Sequence, residues 1–193
     1  MTSPPRDLSS KRVVVMGLGR FGGGLGVTQW LASQNADILL TDLANESELA
    51  EPLAALTPLI ANAAITLRLG EHNVSDFTTA DLIIANPAVP KPWNNRFLRA
   101  AQAAAVPITT EVRLLIERLP NPARLIAVTG SVGKSTTAAM TAHALRAIAP
   151  HHQTHLGGNI GGTLLNHLPS ISPEDFIVLE LSSAMLHWLT AGA

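Results

Sequence analysis

Gly130-Ser131-Val132-Gly133-Lys134-Ser135-Thr136 follows an apolar run, residues 124–129, and opens a helix-forming stretch, residues 134–149. That order of strand, glycine-rich turn and helix is what a phosphate-binding loop needs. Glycines let successive backbone N–H groups close around phosphate oxygens, and the helix N-terminus adds a favourable dipole. Lys134 is spaced to reach the β- and γ-phosphates, and the Ser135 hydroxyl suits Mg²⁺. The general spacing GxxxxGK[ST] asks for glycine at position 128, where Val128 stands. The plainer alternative is a glycine turn followed by a chance Lys-Ser. The strand before it and the helix after it favour a loop that handles a nucleoside triphosphate, ATP first.

The same rhythm runs upstream. Apolar strand-like runs at residues 12–17, 36–42, 64–69, 80–86 and 106–109 alternate with helix-forming stretches at 24–34, 46–56, 94–105 and 111–119. Short, nearly continuous apolar strands between helices predict a parallel sheet covered on both faces. Leu119-Pro120-Asn121-Pro122 interrupts the alternation, which suits a linker. The expected fold is therefore α/β: a Rossmann-like parallel-sheet N-terminal domain over residues 1–122, followed by the start of a P-loop α/β ATPase domain over 123–193. The second part is short for a domain and reads as cut short.

Composition agrees with a folded chain. Apolar residues make up 47% of the 193 and charged residues 14%, too apolar for disorder. Thirteen basic against fourteen acidic residues give no electrostatic case for nucleic acid or a membrane surface. Cysteine is absent, which excludes disulfides and cysteinyl zinc sites. With no signal-peptide core and no membrane-length apolar run, a cytoplasmic monomer is the expectation.

Three further segments carry chemistry. Gly17-Leu18-Gly19-Arg20-Phe21-Gly22 fits GxGxxG directly after a strand, and Asp42 ends the next strand, where a dinucleotide fold keeps its ribose-binding acid. A glycine turn needed for packing alone would look similar. Glu180 closes the strand-like run 176–181, and a strand-end carboxylate beside a phosphate loop is placed to hold Mg²⁺ directly or through water. Between them, Gly157-Gly158-Asn159-Ile160-Gly161-Gly162 is either a connecting turn or a close approach of backbone and the Asn159 amide to a ligand.

VTGSVGKST, GGNIGG and VLELSS, in that order behind a GxGxxG unit, resemble the Mur ligases of peptidoglycan synthesis, and among them the D-glutamate-adding branch. The resemblance spans roughly residues 11–189, and the family's loop, T-G-[TS]-N-G-K-[ST], accounts for the missing first glycine. It implies that Gly19, Arg20, Phe21 and Asp42 line a UDP pocket, with Asn86 and Pro87 over the uridine-diphosphate end. It implies that Thr129, Gly130, Ser131, Val132, Gly133, Lys134, Ser135 and Thr136 bind ATP, with Lys134 and Glu180 catalytic and Ser135 and Glu180 on Mg²⁺. Asn159 would contact the muramoyl-alanine part of the substrate. The implied reaction joins D-glutamate to UDP-N-acetylmuramoyl-L-alanine through an acyl phosphate, which needs positioning and charge neutralisation more than a protein nucleophile.

Val132, Ala88 and Met185 depart from the family's usual Asn, Gly and Gln. The family's carbamoylated lysine has no counterpart among Lys11, Lys91 and Lys134, so the chain alone is expected not to complete the ligation. Two other readings stay open: an NAD-binding oxidoreductase domain built on GxGxxG and Asp42, and a non-catalytic UDP-sugar-binding module. His151, His152 and His155 lack a nearby acid in sequence and read as a solvated loop; Trp30, Trp93 and Trp188 read as core or rim, and His187 as helix packing.

Overall fold

A computed structural model describes residues 7–19 and 22–190. The chain divides into two units between Glu111 and Val112. In the first, β1 (Arg12–Met16), β2 (Asp37–Asp42), β3 (Ile65–Leu69), β4 (Leu82–Ala85) and β5 (Ile108–Thr109) form one sheet. All pairings are parallel, in the order β3-β2-β1-β4-β5. This is the Rossmann-like order, and the expected α/β class is what the molecule has. Val13, Val14 and Val15 of β1 and Leu82, Ile83, Ile84 and Ala85 of β4 are buried, as strands covered on both faces must be.

Helix α1 (Gly23–Ser33) packs on β1 and β2 and buries Val27, Trp30 and Leu31. The helix expected over residues 46–56 is shorter, α2 (Ala50–Ala54), and a separate α3 (Thr57–Ala61) follows. Pro58 explains the break: without an N–H it cannot continue a helix, but it suits the first turn of a new one. A further turn of helix, α4 (Val74–Thr78), starts where the Asn73 side chain accepts from Ser75 N–H. Its Asp76 is buried and accepts from Arg68 Nε at 2.7 Å and Arg12 Nη2 at 3.3 Å, so the carboxylate's charge is matched on two sides. Asn95 caps α5 (Arg96–Ala103) by accepting from the N–H groups of Phe97 and Leu98.

Helix α6 (Glu111–Ile116) carries the division between the units. In the second unit, β6 (Leu125–Val128), β7 (Thr154–Gly158) and β8 (Phe176–Glu180) pair in parallel in the order β6-β8-β7. Helix α7 (Lys134–Ile148) lays Ala138 and Ala142 on Val178, with Ile126, Val128, Leu145, Leu156 and Ile160 around them. Helix α8 (Ser183–Thr190) starts where Ser182 Oγ accepts from Met185 N–H.

Strand β7 corrects the expectation of a solvated loop at His155, while His151, exposed, and His152, half-buried, lie in the turn before it. Thr154, His155, Leu156, Gly157 and Gly158 pair with Phe176 to Glu180, and His155 is largely buried. The partner that sequence proximity did not offer is Asp175, twenty positions further on. Among the described residues, no helix is long and apolar enough to cross a membrane.

Candidate functional site

In the first unit the strand order reverses between β1 and β4, and ligands of open α/β sheets bind outside the C-terminal ends of the strands at such a point. Gly17, Leu18 and Gly19 leave β1 there, and Asn86 and Pro87 leave β4. Asn86 Nδ2 donates to the Gly17 carbonyl at 3.4 Å, and its Oδ1 accepts from Ala88 N–H at 2.9 Å. Gly19 has φ +64°, and a Cβ on it would lie 2.9 Å from Asn86 Nδ2. The left-handed conformation favours glycine, and any side chain there would have to displace the Asn86 amide. Asp42 also reaches this turn: its Oδ2 accepts from Leu18 N–H at 2.8 Å and Gly19 N–H at 3.3 Å, and its Oδ1 from Ala44 N–H at 2.9 Å. Gly19, Asp42 and Asn86 are thus brought together. Arg20 and Phe21 lie outside the described residues.

One side chain at this edge had no signal in the sequence beyond following a strand. His72 Nδ1 lies 2.8 Å from Thr41 Oγ1, which also lies 3.1 Å from the Glu71 carbonyl oxygen. The rings of Phe77 and Phe97 meet it edge-on. Burial pushes the His72 pKa below the ordinary imidazole value; Asp42 opposes that shift and Arg96 adds to it.

In the second unit, Thr129 to Gly133 run exposed from the end of β6 to the head of α7. Gly133 caps α7 in a left-handed conformation and offers the first N–H groups of the helix no side chain of its own. Lys134 Nζ folds back to donate to the Gly130 carbonyl at 2.9 Å. The Val132 side chain is exposed and makes no demand on the loop, consistent with backbone donors being what matters there. Exposed glycines leading into a helix N-terminus capped by glycine are what an anion-binding loop requires.

Glu180 ends β8 in register with Val128 on one side and Gly158 on the other. It is 1% exposed, its Oε1 accepts from Asn159 Nδ2 at 3.2 Å, and its Oε2 is buried with no hydrogen-bond partner among the described residues. Asn159 N–H also donates to the Glu180 carbonyl at 2.9 Å. The glycine-rich turn comes this close because a Cβ on Gly158 would meet that carbonyl oxygen at 2.3 Å. A buried carboxylate oxygen without a donor is costly unless a cation serves it, so the donor set fits Mg²⁺.

At the opposite end of the same strands, Asp175 is structural. It accepts from Ser172 N–H at 2.8 Å, Gln153 N–H at 3.1 Å and His155 Nε2 at 3.2 Å. Burial alone would raise its pKa; these donors outweigh it and hold the carboxyl below its ordinary value. The stabilisation this lends the second unit is complete above the unfolded-state pKa and is lost as pH falls through the depressed folded value. Asp175→Asn is therefore expected to be less stable than the parent near pH 7, with the gap closing as pH falls below the ordinary aspartate range. Urea midpoints across that range test it: a gap independent of pH would show that the charge is not what matters.

Comparison with known proteins bears on both units. Residues 11–110 match the Mur ligase MurD-like N-terminal domain. The chain is 41% identical over 183 residues to the UDP-N-acetylmuramoylalanine–D-glutamate ligase of Roseiflexus sp. (strain RS-1), covering 95% of this chain and 37% of that protein. It is 39% identical over 184 residues to the ligase of the same name from Treponema pallidum (strain Nichols), covering 95% and 33%. The chain thus spans about a third of the length of these relatives. Among solved structures, a murein peptide ligase from Psychrobacter arcticus aligns with a TM-score of 0.49 at 16% identity, covering 88% of this chain and 37% of that one. With its matched N-terminal domain built on this glycine turn, the chain belongs to the MurD-like Mur ligases.

Proposed function

We propose that this chain is the front part of an ATP-dependent amide-forming ligase of peptidoglycan precursor synthesis, one that adds D-glutamate to UDP-N-acetylmuramoyl-L-alanine. The observation that carries the reading is Glu180: a buried carboxylate with one oxygen held by Asn159 and the other unpartnered among the described residues, in register with the residue that leads into the glycine-rich loop. An ordinary strand-end acid would be exposed or fully paired. The names of the Roseiflexus and Treponema relatives supply the substrate and the amine.

In this reading Gly19, Asp42, Asn86 and Pro87, with Arg20 and Phe21, form the pocket for the UDP end of the substrate. Thr129 to Thr136 hold the ATP phosphates, Lys134 reaches the β- and γ-phosphates, and Ser135 and Glu180 hold Mg²⁺. Held by Ser135 and Glu180, Mg²⁺ would supply neutralisation of phosphate charge for phosphoryl transfer from ATP to the substrate carboxylate. Asn159 fixes Glu180 and faces the muramoyl-alanyl part. The D-glutamate site belongs to the portion of the relatives that this chain does not span.

Calorimetric titration tests the two halves separately. ATP with Mg²⁺ should bind the parent chain, and Lys134→Ala should weaken it by about tenfold to a hundredfold, the usual cost of a charge-assisted bond to phosphate. UDP-N-acetylmuramoyl-L-alanine should bind and NADH should not. NADH binding without UDP-sugar binding would sink the ligase reading in favour of an oxidoreductase domain. ATP affinity that is absent, or indifferent to Lys134, would leave a UDP-sugar-binding module.

A further inference from the structure

The amides that open the glycine turn of the first unit are already engaged by the protein itself. Gly17 N–H donates to the Thr41 carbonyl at 2.8 Å, and Leu18 and Gly19 N–H both donate to Asp42 Oδ2. That oxygen has both lone-pair positions filled, and Oδ1 has one filled by Ala44 N–H. An acid whose task was to receive ribose hydroxyls would keep its oxygens open. Here the carboxylate sits on the turn as a phosphate oxygen would.

The glycines divide in the same way. A Cβ on Gly17 or Gly19 would run into Asn86, and one on Gly24 into the carbonyls of Leu18 and Gly17. On Gly22 and Gly23, at the head of α1, a Cβ would meet nothing within 4 Å. Gly22, in a left-handed conformation, caps α1 and offers the leading N–H groups of the helix no side chain of its own. The turn therefore has a packed half, locked to β2 and β4, and an open half that starts α1.

We propose that Asp42 is a positioning residue: it latches the packed half of the turn and so directs a diphosphate to the open half, without contacting the nucleoside. The proposal rests on the reading of this unit as a UDP-substrate pocket, and it names which part of the ligand feels Asp42. The support behind the latch is itself layered. The Thr41 hydroxyl is held between the Glu71 carbonyl and His72, and Gly70 N–H donates to the Ala44 carbonyl at 3.0 Å, so the segment carrying Asp42 is tied to the chain that follows β3.

The test uses the full chain, two ligands and two variants. Uridine and UDP are titrated by amide chemical shifts, which follow even millimolar affinities, against the parent, Asp42→Ala and Asp42→Asn. A latch predicts that Asp42→Ala weakens UDP by about tenfold or more and uridine by less than about twofold. Asp42→Asn should recover most of the UDP affinity, because its amide oxygen can still accept from Leu18 and Gly19. Equal losses for uridine and UDP would mean that Asp42 touches the nucleoside, and the proposal falls. Hydrogen exchange without ligand gives a second arm. Asp42→Ala should speed exchange of the Leu18 and Gly19 amides by about tenfold or more while Val14 and Val15 stay protected. Unchanged exchange at Leu18 and Gly19, or equal acceleration at Val14 and Val15, overturns the latch. A parent that binds neither uridine nor UDP defeats the pocket reading instead, and the exchange arm still decides what Asp42 does.

Discussion

Gly24→Ala is expected to destabilise the first unit by about 2–3 kcal/mol, while Gly23→Ala, one position earlier, is expected to be neutral or stabilising by up to about 1 kcal/mol. Both glycines open α1, and intrinsic helix propensity alone would favour alanine at each. Space separates them. A Cβ on Gly24 would lie 2.2 Å from the Leu18 carbonyl oxygen and 2.5 Å from that of Gly17, both backbone atoms that cannot rotate away. The helix would have to lift off the turn, and the turn is anchored at Thr41, Asp42 and Asn86. Native-state hydrogen exchange at Val14 and Ile84 reads this unit without interference from the other. Losing protection in Gly24→Ala but not in Gly23→Ala is the expected pair of outcomes. Two variants that behave alike would mean that the helix is free to shift and that the close approach is incidental.

This contrast also marks how far the sequence could be read. The strands β1, β2 and β4 were legible because a strand buried on both faces must be a continuous apolar run, and VVVM, ILL and LIIA are such runs. Strand β7, Thr-His-Leu-Gly-Gly, holds one large apolar residue and two glycines. Its strand character comes from pairing with β8, which no local pattern encodes. Pro58 lies just past the helix expected over residues 46–56, and its place in the first turn of a second short helix, α3, is what that reading did not anticipate.

The site was legible where chemistry is local in sequence and obscure where it is not. The proposed phosphate loop stands out because seven adjacent residues supply its glycines, lysine and hydroxyls. Asp42 was found as a strand-end acid at the right spacing, but which atoms its carboxylate faces depends on a turn twenty-odd residues upstream. The same applies to Asn159, whose amide turns to Glu180 across 21 positions, and to His72 on Thr41 across 31. Spacing locates the ends of strands. Only packing decides whether a polar group there serves the ligand or the loop.

The Glu180→Gln variant should separate function from stability, moving them in opposite directions. Glutamine keeps an oxygen where Oε1 accepts from Asn159, and it fills the same space, so neither the hydrogen bond nor the packing is lost. What goes is a negative charge at a position 1% exposed, with Oε2 unpartnered. Without metal, that charge opposes folding, because the cost of removing a carboxylate from water is met by one neutral donor only. The variant should therefore be more stable than the parent by about 1–2 kcal/mol in the absence of Mg²⁺, as replacement of strained site residues commonly is. With Mg²⁺ the order reverses in function. The gain in ATP affinity that Mg²⁺ brings to the parent should shrink by about tenfold or more, since an amide oxygen is a far weaker ligand for a hard cation than a carboxylate. Glu180→Ala is the poorer probe, because the cavity it leaves would destabilise the unit for reasons unrelated to charge. Calorimetry with and without Mg²⁺, paired with urea unfolding of the metal-free chain, reads both effects. A Gln variant that is less stable than the parent and keeps its full Mg²⁺ response would make Glu180 a packing residue, and the metal assignment would have to move elsewhere.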